Sequence, residues 1–178
     1  MNKTHPQPEM VILVDENDQV LGQEEKLRAH ELGLLHRAFS VFLFRKNGPQ
    51  TELLLQQRHP LKYHAGGLWS NSCCSHPRLG EDIVAAGERR LREELGIQAE
   101  LEAVGRFQYR AEFPNGLIEH ELDYLLIGWD DGLEFTPNPL EVSNTRWQEL
   151  GSLQQELDEY PERFTPWFGE ALGLVCQP

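Results

Sequence analysis

The chain has 178 residues, 29 of them acidic and 16 basic, for a formal net charge of -13. That length suits one domain, 1–178, closed around a single core. The charge would repel the phosphate backbone of nucleic acid over most of the surface, so no nucleic-acid partner is expected. An anionic small substrate would need a local cluster of basic side chains or a bound cation.

Met1 to Glu9 is polar and lacks the charged-then-apolar pattern of an export signal. The apolar runs Val11–Val14, Val41–Phe44 and Leu122–Ile127 are too short to span a bilayer and suit buried strands, so no membrane partner is expected. Cys73 and Cys74 are adjacent and Cys176 is distant, a poor disulfide framework that fits reduced thiols in the cytoplasm. Along the chain, a strand at Val11–Val14 precedes a turn at Asp15–Asp18, and Lys26–Leu32 predicts a short helix ending at Gly33. Arg37–Arg45 and Glu52–Arg58 predict a hairpin through Lys46-Asn47-Gly48-Pro49. From Asp82, the apolar positions Ile83, Ala86, Leu91 and Leu95 follow a helical period up to a cap at Gly96. Gly105–Phe113 and Leu117–Gly128 predict a second hairpin through Pro114-Asn115-Gly116. A strand near Thr145–Trp147 and helices around Leu150–Glu159 and Pro166–Leu174 complete an α+β arrangement, a mixed sheet with flanking helices.

Glu119 and Glu121 lie two apart on a strand, so their carboxylates share a face, with Asp123 following and His120 pointing away. Such a face is ordinarily the solvated one unless a cation is present. Partners for a Zn²⁺ or Mn²⁺ ion are His30, His36 and His76. His5, His59, His64 and His120 offer no comparable case. In Asn71-Ser72-Cys73-Cys74-Ser75-His76-Pro77, an extended chain puts Cys74 on the side of His76 and leaves Cys73 as a small buried hydrophobe. A cation nearby would lower the Cys74 pKa toward the range useful for proton transfer. On the helix, Arg90 and Glu94 are four apart, a salt-bridge spacing. The functional alternative gives Glu94 to Mg²⁺ on a diphosphate and Arg90, with Arg58 and Lys62, to its oxygens.

These segments resemble type I isopentenyl diphosphate isomerases of the Nudix superfamily. The resemblance runs from about Val11 to Trp167 and rests on His30 and His36-Arg37-Ala38-Phe39-Ser40, Trp69-Ser70-Asn71-Ser72-Cys73-Cys74-Ser75-His76-Pro77, Tyr109-Arg110-Ala111, Glu119-His120-Glu121 and Thr165-Pro166-Trp167. Glu81, Arg89, Glu93, Glu94 and Gly96 occupy Nudix motif positions, but Ser75 and Arg90 replace the usual Gly and Glu. Loss of a metal-binding carboxylate at Arg90 argues against a pyrophosphohydrolase and for phosphate binding. The resemblance implies a Nudix-like mixed sheet sandwiched between helices, with an N-terminal strand and helix extension. It implies a 1,3-allylic shift between isopentenyl and dimethylallyl diphosphate, with Glu121, assisted by Tyr109, at the terminal methylene and Cys74 at C2. Trp167 would screen the carbocation. His30, His36, His76, Glu119 and Glu121 would hold Zn²⁺ or Mn²⁺. Mg²⁺ would arrive with the diphosphate at Glu94 and the Cys74 carbonyl. A homodimer stays open beside a monomer, and no role falls to Cys176.

Overall fold

Ala38 to Phe44 are buried without a break, as a strand covered on both faces must be. In the computed structural model, which describes residues 8–130, 132 and 134–177, the elements run β1 (Met10–Val14), β2 (Val20–Glu25), α1 (Lys26–Leu32), β3 (His36–Asn47), β4 (Gln50–Arg58), β5 (Trp69–Ser70), β6 (Cys73–Ser75), α2 (Ile83–Leu95), β7 (Leu101–Glu112), β8 (Ile118–Trp129), β9 (Val142–Glu149), α3 (Leu150–Glu159) and α4 (Phe168–Val175).

The buried run of β3 forms the centre of the sheet. On one edge β3 pairs in parallel with β8, from His36 opposite Glu121 to Phe44 opposite Trp129. On the other edge it takes three partners in turn: β1 at His36, β6 at Phe39–Val41 and β4 from Phe44 to Asn47. Thus β3 and β4 leave their hairpin together and then part, and β6 fills the gap. β4 continues against β5 and β9. β7 lies antiparallel to β8, with Tyr109 opposite Glu121.

Helices cover both faces. Ala86, Leu91 and Leu95 of α2 pack on Phe39, Val41, Leu43, Leu54 and Leu126. Leu153 and Leu157 of α3, with Phe168, Ala171 and Leu172 of α4, cover Phe42, Phe44, Leu53, Leu55 and Leu125. The expected sandwich and N-terminal extension are present. Asp82 caps α2 by accepting from the Val84 and Ala85 amides at 3.0 Å, and Gly96 ends it in a left-handed conformation at φ 71°. Gly87 is tolerated inside this helix because a Cβ there would stand 2.4 Å from Leu126 Cδ1, so α2 sits this close to β8 only without a side chain. Leu91 is fully buried beneath it. Leu91→Ala should therefore cost about 2–5 kcal/mol in urea denaturation; a loss below about 0.5 kcal/mol would mean that α2 does not anchor this core.

Several strands exceed or escape the sequence expectation, the short β5 and β6 among them. β2 alternates no apolar residues and is held instead by its register with β1, Met10 opposite Glu25 through Leu13 opposite Gly22. β7 begins at Leu101 and β9 at Val142, because pairing with β8 and β4 extends both. Among the described residues, no helix is long and apolar enough to cross a membrane.

Candidate active site

The parallel pairing of β3 with β8 sets His36 beside Glu121, and β7 brings Tyr109 to the same carboxylate. Glu119 and Glu121 do not lie on a solvated face, the ordinary place for such a pair without a cation: both are buried, as is Asp123. Each has a polar partner in compensation, as burial of a carboxylate requires. Glu121 Oε1 lies 3.0 Å from His76 Nε2 and 3.3 Å from His36 Nε2. The Tyr109 hydroxyl is 2.5 Å from Glu121 Oε2 and 3.1 Å from Glu119 Oε2. Asp123 accepts from the Ser40 hydroxyl at 2.7 Å. His120 points away as expected, toward the Gly33 carbonyl and Gln108. His5 lies outside the described residues.

His30 and His36 are arranged as metal ligands would be. Their Nδ1 atoms sit 2.7 Å from the Lys26 carbonyl and 2.8 Å from the Leu34 carbonyl, contacts that fix each tautomer with Nδ1 as donor and leave the Nε2 lone pair free. His30 Nε2 is buried without a hydrogen-bond partner, and His36 Nε2 meets only Glu121 Oε1, at 3.3 Å. Ligand atoms of His30, His36, His76 and Glu121 all lie within 4.8 Å of one another. A buried set of imidazole nitrogens and carboxylate oxygens fits a divalent metal ion.

His64 corrects the sequence reading, which gave it no role. Its Nε2 is 2.7 Å from Glu119 Oε1, and His30, His64 and Glu119 form a second close group of ligand atoms. His64 stands on the irregular loop between β4 and β5, where no periodicity indicates which way a side chain points.

Cys74 lies in β6, opposite Ser40. Its thiol is 3.1 Å from Asn71 Oδ1 and 3.5 Å from Ser40 Oγ, while Cys73 faces the α2 side and is fully buried. That assignment of the pair agrees with the sequence reading; the expected lowering of the pKa concerned a thiol beside a bound cation, and the metal-free thiol differs. Burial, reinforced by Asp123, pushes the Cys74 thiol up to about 12. Ser40 and Arg58 oppose this rise, and a bound metal ion would lower the thiol further.

Arg58, Lys62, Arg90, Tyr109, Trp167, Cys74, His76, Glu119 and Glu121 line one cavity of about 30 Å³, room for a water or an ion. Arg58 ends β4, and its guanidinium lies 5.7 Å from the centre of the Trp167 ring. Lys62 belongs to the following loop rather than to the hairpin itself, and is paired with Glu141. Glu94 does not line this cavity: Arg90 holds its Oε1 at 2.5 Å and Gln56 its Oε2 at 3.0 Å. The salt-bridge reading of Arg90 and Glu94 is thus the one the structure contains.

Charge in this cluster makes the stability of the metal-free protein depend on pH. Burial and the neighbouring Glu121 push Glu119 up to about 8, and the same two causes raise Asp123 well above the usual range. Burial lowers His30 and His64 to about 3, helped by His36 and by Arg58 respectively. A raised carboxyl stabilises below its unfolded pKa and loses that contribution as pH rises through its folded pKa; a lowered imidazole does the reverse below pH 6.5. Between about pH 4.5 and 6.5 the two acids and two histidines offset each other, and above 6.5 only the acids act. The Tm of chelator-treated protein should therefore fall from pH 6.5 to 8. A Tm that rises over that interval would contradict this charge assignment.

The NUDIX domain family matches residues 34–168. A crystal structure of a Deinococcus radiodurans protein superposes with a TM-score of 0.72 at 21% identity, covering 94% of this chain and 98% of that one. The MutT protein of Methanosarcina mazei gives 0.60 at 14%, covering 80% and 96%. At those identities the likeness concerns the fold alone. Sequence relatives are much nearer. The isopentenyl-diphosphate Delta-isomerase of Serratia proteamaculans is 49% identical over 90% of this chain and 87% of its own length. That of Photobacterium profundum is 48% identical over 94% of each. With this identity over nearly the whole chain, on a Nudix fold whose motif has Arg90 in place of a metal-binding glutamate, the chain belongs to the isopentenyl-diphosphate Delta-isomerase family.

Proposed function

We propose that this chain interconverts isopentenyl and dimethylallyl diphosphate in isoprenoid biosynthesis, acting in the cytoplasm as one domain, 1–178, with Cys74 and Glu121 moving the two protons. One observation carries the assignment of roles. Cys74 and Glu121 face the same cavity from strands on opposite edges of β3. The two strands are two spacings apart, about 10 Å, and Cys74 stands at the level of Ser40, four residues along β3 from the level of Glu121 at His36, so the two side chains reach the cavity from different directions.

From isopentenyl diphosphate, Glu121 in its acid form gives a proton to the terminal methylene. The alkene electron pair makes the new C–H bond and leaves a tertiary cation. Cys74 thiolate then takes a proton from C2, and that C–H pair becomes the new double bond. The buried Trp167 ring shields the cation by cation–π attraction, worth about 2 kcal/mol when desolvated. Without metal, burial opposes ionisation of Glu121, but His36 and His76 hold it well below its usual pKa, whereas Cys74 is protonated. This resting pair suits the reverse direction, starting from dimethylallyl diphosphate. The forward reaction needs the opposite state of both groups: Glu121 gains a proton, for which the Tyr109 hydroxyl, touching both Glu121 and the neutral Glu119, offers the route, and Cys74 gives one up to solvent.

His30, His36, His76, Glu119 and Glu121 would hold Zn²⁺ or Mn²⁺, and Mg²⁺ would accompany the diphosphate at Glu94 and the Cys74 carbonyl. Bound metal supplies positive charge that tunes the acidity of Glu121 and offsets that of the phosphates. Diphosphate binding by Arg58, Lys62 and Arg90 requires Lys62 to leave Glu141 and Arg90 to release Glu94, which frees that carboxylate for Mg²⁺. Incubation of isopentenyl diphosphate with the metal-loaded protein should yield dimethylallyl diphosphate without phosphate release; phosphate release with an unmoved double bond would favour a hydrolase.

A further inference from the structure

His64 has no part in the proton transfers described above, yet it is among the most tightly held side chains near them. The loop that carries it is closed at Gly66, where a Cβ would stand 2.6 Å from the Pro60 carbonyl. Asn115, at the β7–β8 turn, donates to the Tyr63 carbonyl at 2.6 Å. The His64 ring packs 5.2 Å from His30 and 5.4 Å from Phe113, centre to centre. It is buried, 7% exposed, as is the Glu119 that it meets.

Glu119 and Glu121 share the Tyr109 hydroxyl and otherwise have different partners. Glu121 Oε1 faces His36 and His76, whereas Glu119 is gripped by Tyr109 at Oε2 and by His64 at Oε1. We propose that His64 is a positioning residue of the metal centre, donating its Nε2–H to Glu119 Oε1 and so fixing the rotamer in which Glu119 meets the ion. A carboxylate held from both oxygens loses little freedom when metal binds, and outer-shell hydrogen bonds of this kind govern metal affinity. The inference rests on the reading of the His/Glu cluster as a metal centre. The rival role is direct ligation, since ligand atoms of His30, His64 and Glu119 all lie within 4.8 Å of one another.

Zn²⁺ affinity, measured by competition with a chromogenic chelator, separates these roles without reference to turnover. Thermal melts of the metal-free proteins establish that the variants fold. His64→Ala should weaken Zn²⁺ binding about 10–100-fold, with one ion per chain retained. His64→Gln should recover most of the loss, because its amide N–H reaches the place of Nε2. Unchanged affinity in His64→Ala would overturn the proposal. A His64→Gln as weak as His64→Ala, or a second wild-type ion lost in both variants, would make His64 a ligand and overturn it equally. A wild-type protein that binds no Zn²⁺ would sink the metal-centre reading itself, and this proposal with it.

Discussion

Replacing Cys74 with alanine or serine should lower turnover by about 10²–10⁴-fold, the contribution of a general acid or base, while diphosphate binding and bound metal stay near wild type. The thiol donates to Asn71 Oδ1, which also accepts from Ser70 and Trp167, and its longer contacts with the Ser40 and Ser70 hydroxyls at 3.5 and 3.9 Å are weaker. Its removal should therefore cost stability no more than about 0.5–1.5 kcal/mol. Serine is the more telling variant. It keeps the hydrogen bond, but its hydroxyl is too weak an acid to take over the proton transfer. Steady-state turnover, isothermal binding of the diphosphate and metal analysis on the same preparations check all three parts. Retained turnover in both variants would remove Cys74 from the mechanism.

Glu121→Gln should lose turnover to a similar extent, about 10²–10⁴-fold, and should also lose metal, which the Cys74 variants keep. The reason is geometric. Glu121 Oε1 stands between His36 and His76 and belongs to the larger group of ligand atoms, so a neutral amide there removes both a charge and a ligand. Metal analysis after dialysis against a weak chelator, beside the rate measurement, separates the two effects. A Glu121→Gln protein that loses turnover yet binds Zn²⁺ with wild-type affinity would confine Glu121 to acid–base work and leave Glu119 with the histidines as the metal site.

Local chemistry made much of this architecture readable from the chain. Asn47-Gly48 and Pro114-Asn115-Gly116 fall at the two hairpin turns, and Asp82 and Gly96 fall at the caps of α2, because turns and caps depend on residues adjacent in sequence. Strand alternation likewise gave the shared face of Glu119 and Glu121, the outward turn of His120 and the split between Cys73 and Cys74. Alternation gives the face of a strand but not its neighbour. The parallel pairing that sets Glu121 beside His36, and the insertion of β6 into the gap between β3 and β4, are long-range choices with no local signature. For that reason alternation alone does not tell that the acidic face is buried. The same limit explains the Cys74 pKa of the metal-free protein, which is raised by burial and by Asp123 across the sheet, and His64, a loop residue whose partner lies 55 positions away on β8.

The most direct test of the central claim is ¹H and ³¹P NMR of isopentenyl diphosphate with Zn²⁺- and Mg²⁺-loaded protein in D₂O. Dimethylallyl diphosphate should accumulate with deuterium in the new methyl group and with no inorganic phosphate released. Release of phosphate from a substrate whose double bond has not moved, or a spectrum unchanged by metal-loaded protein, would contradict the account.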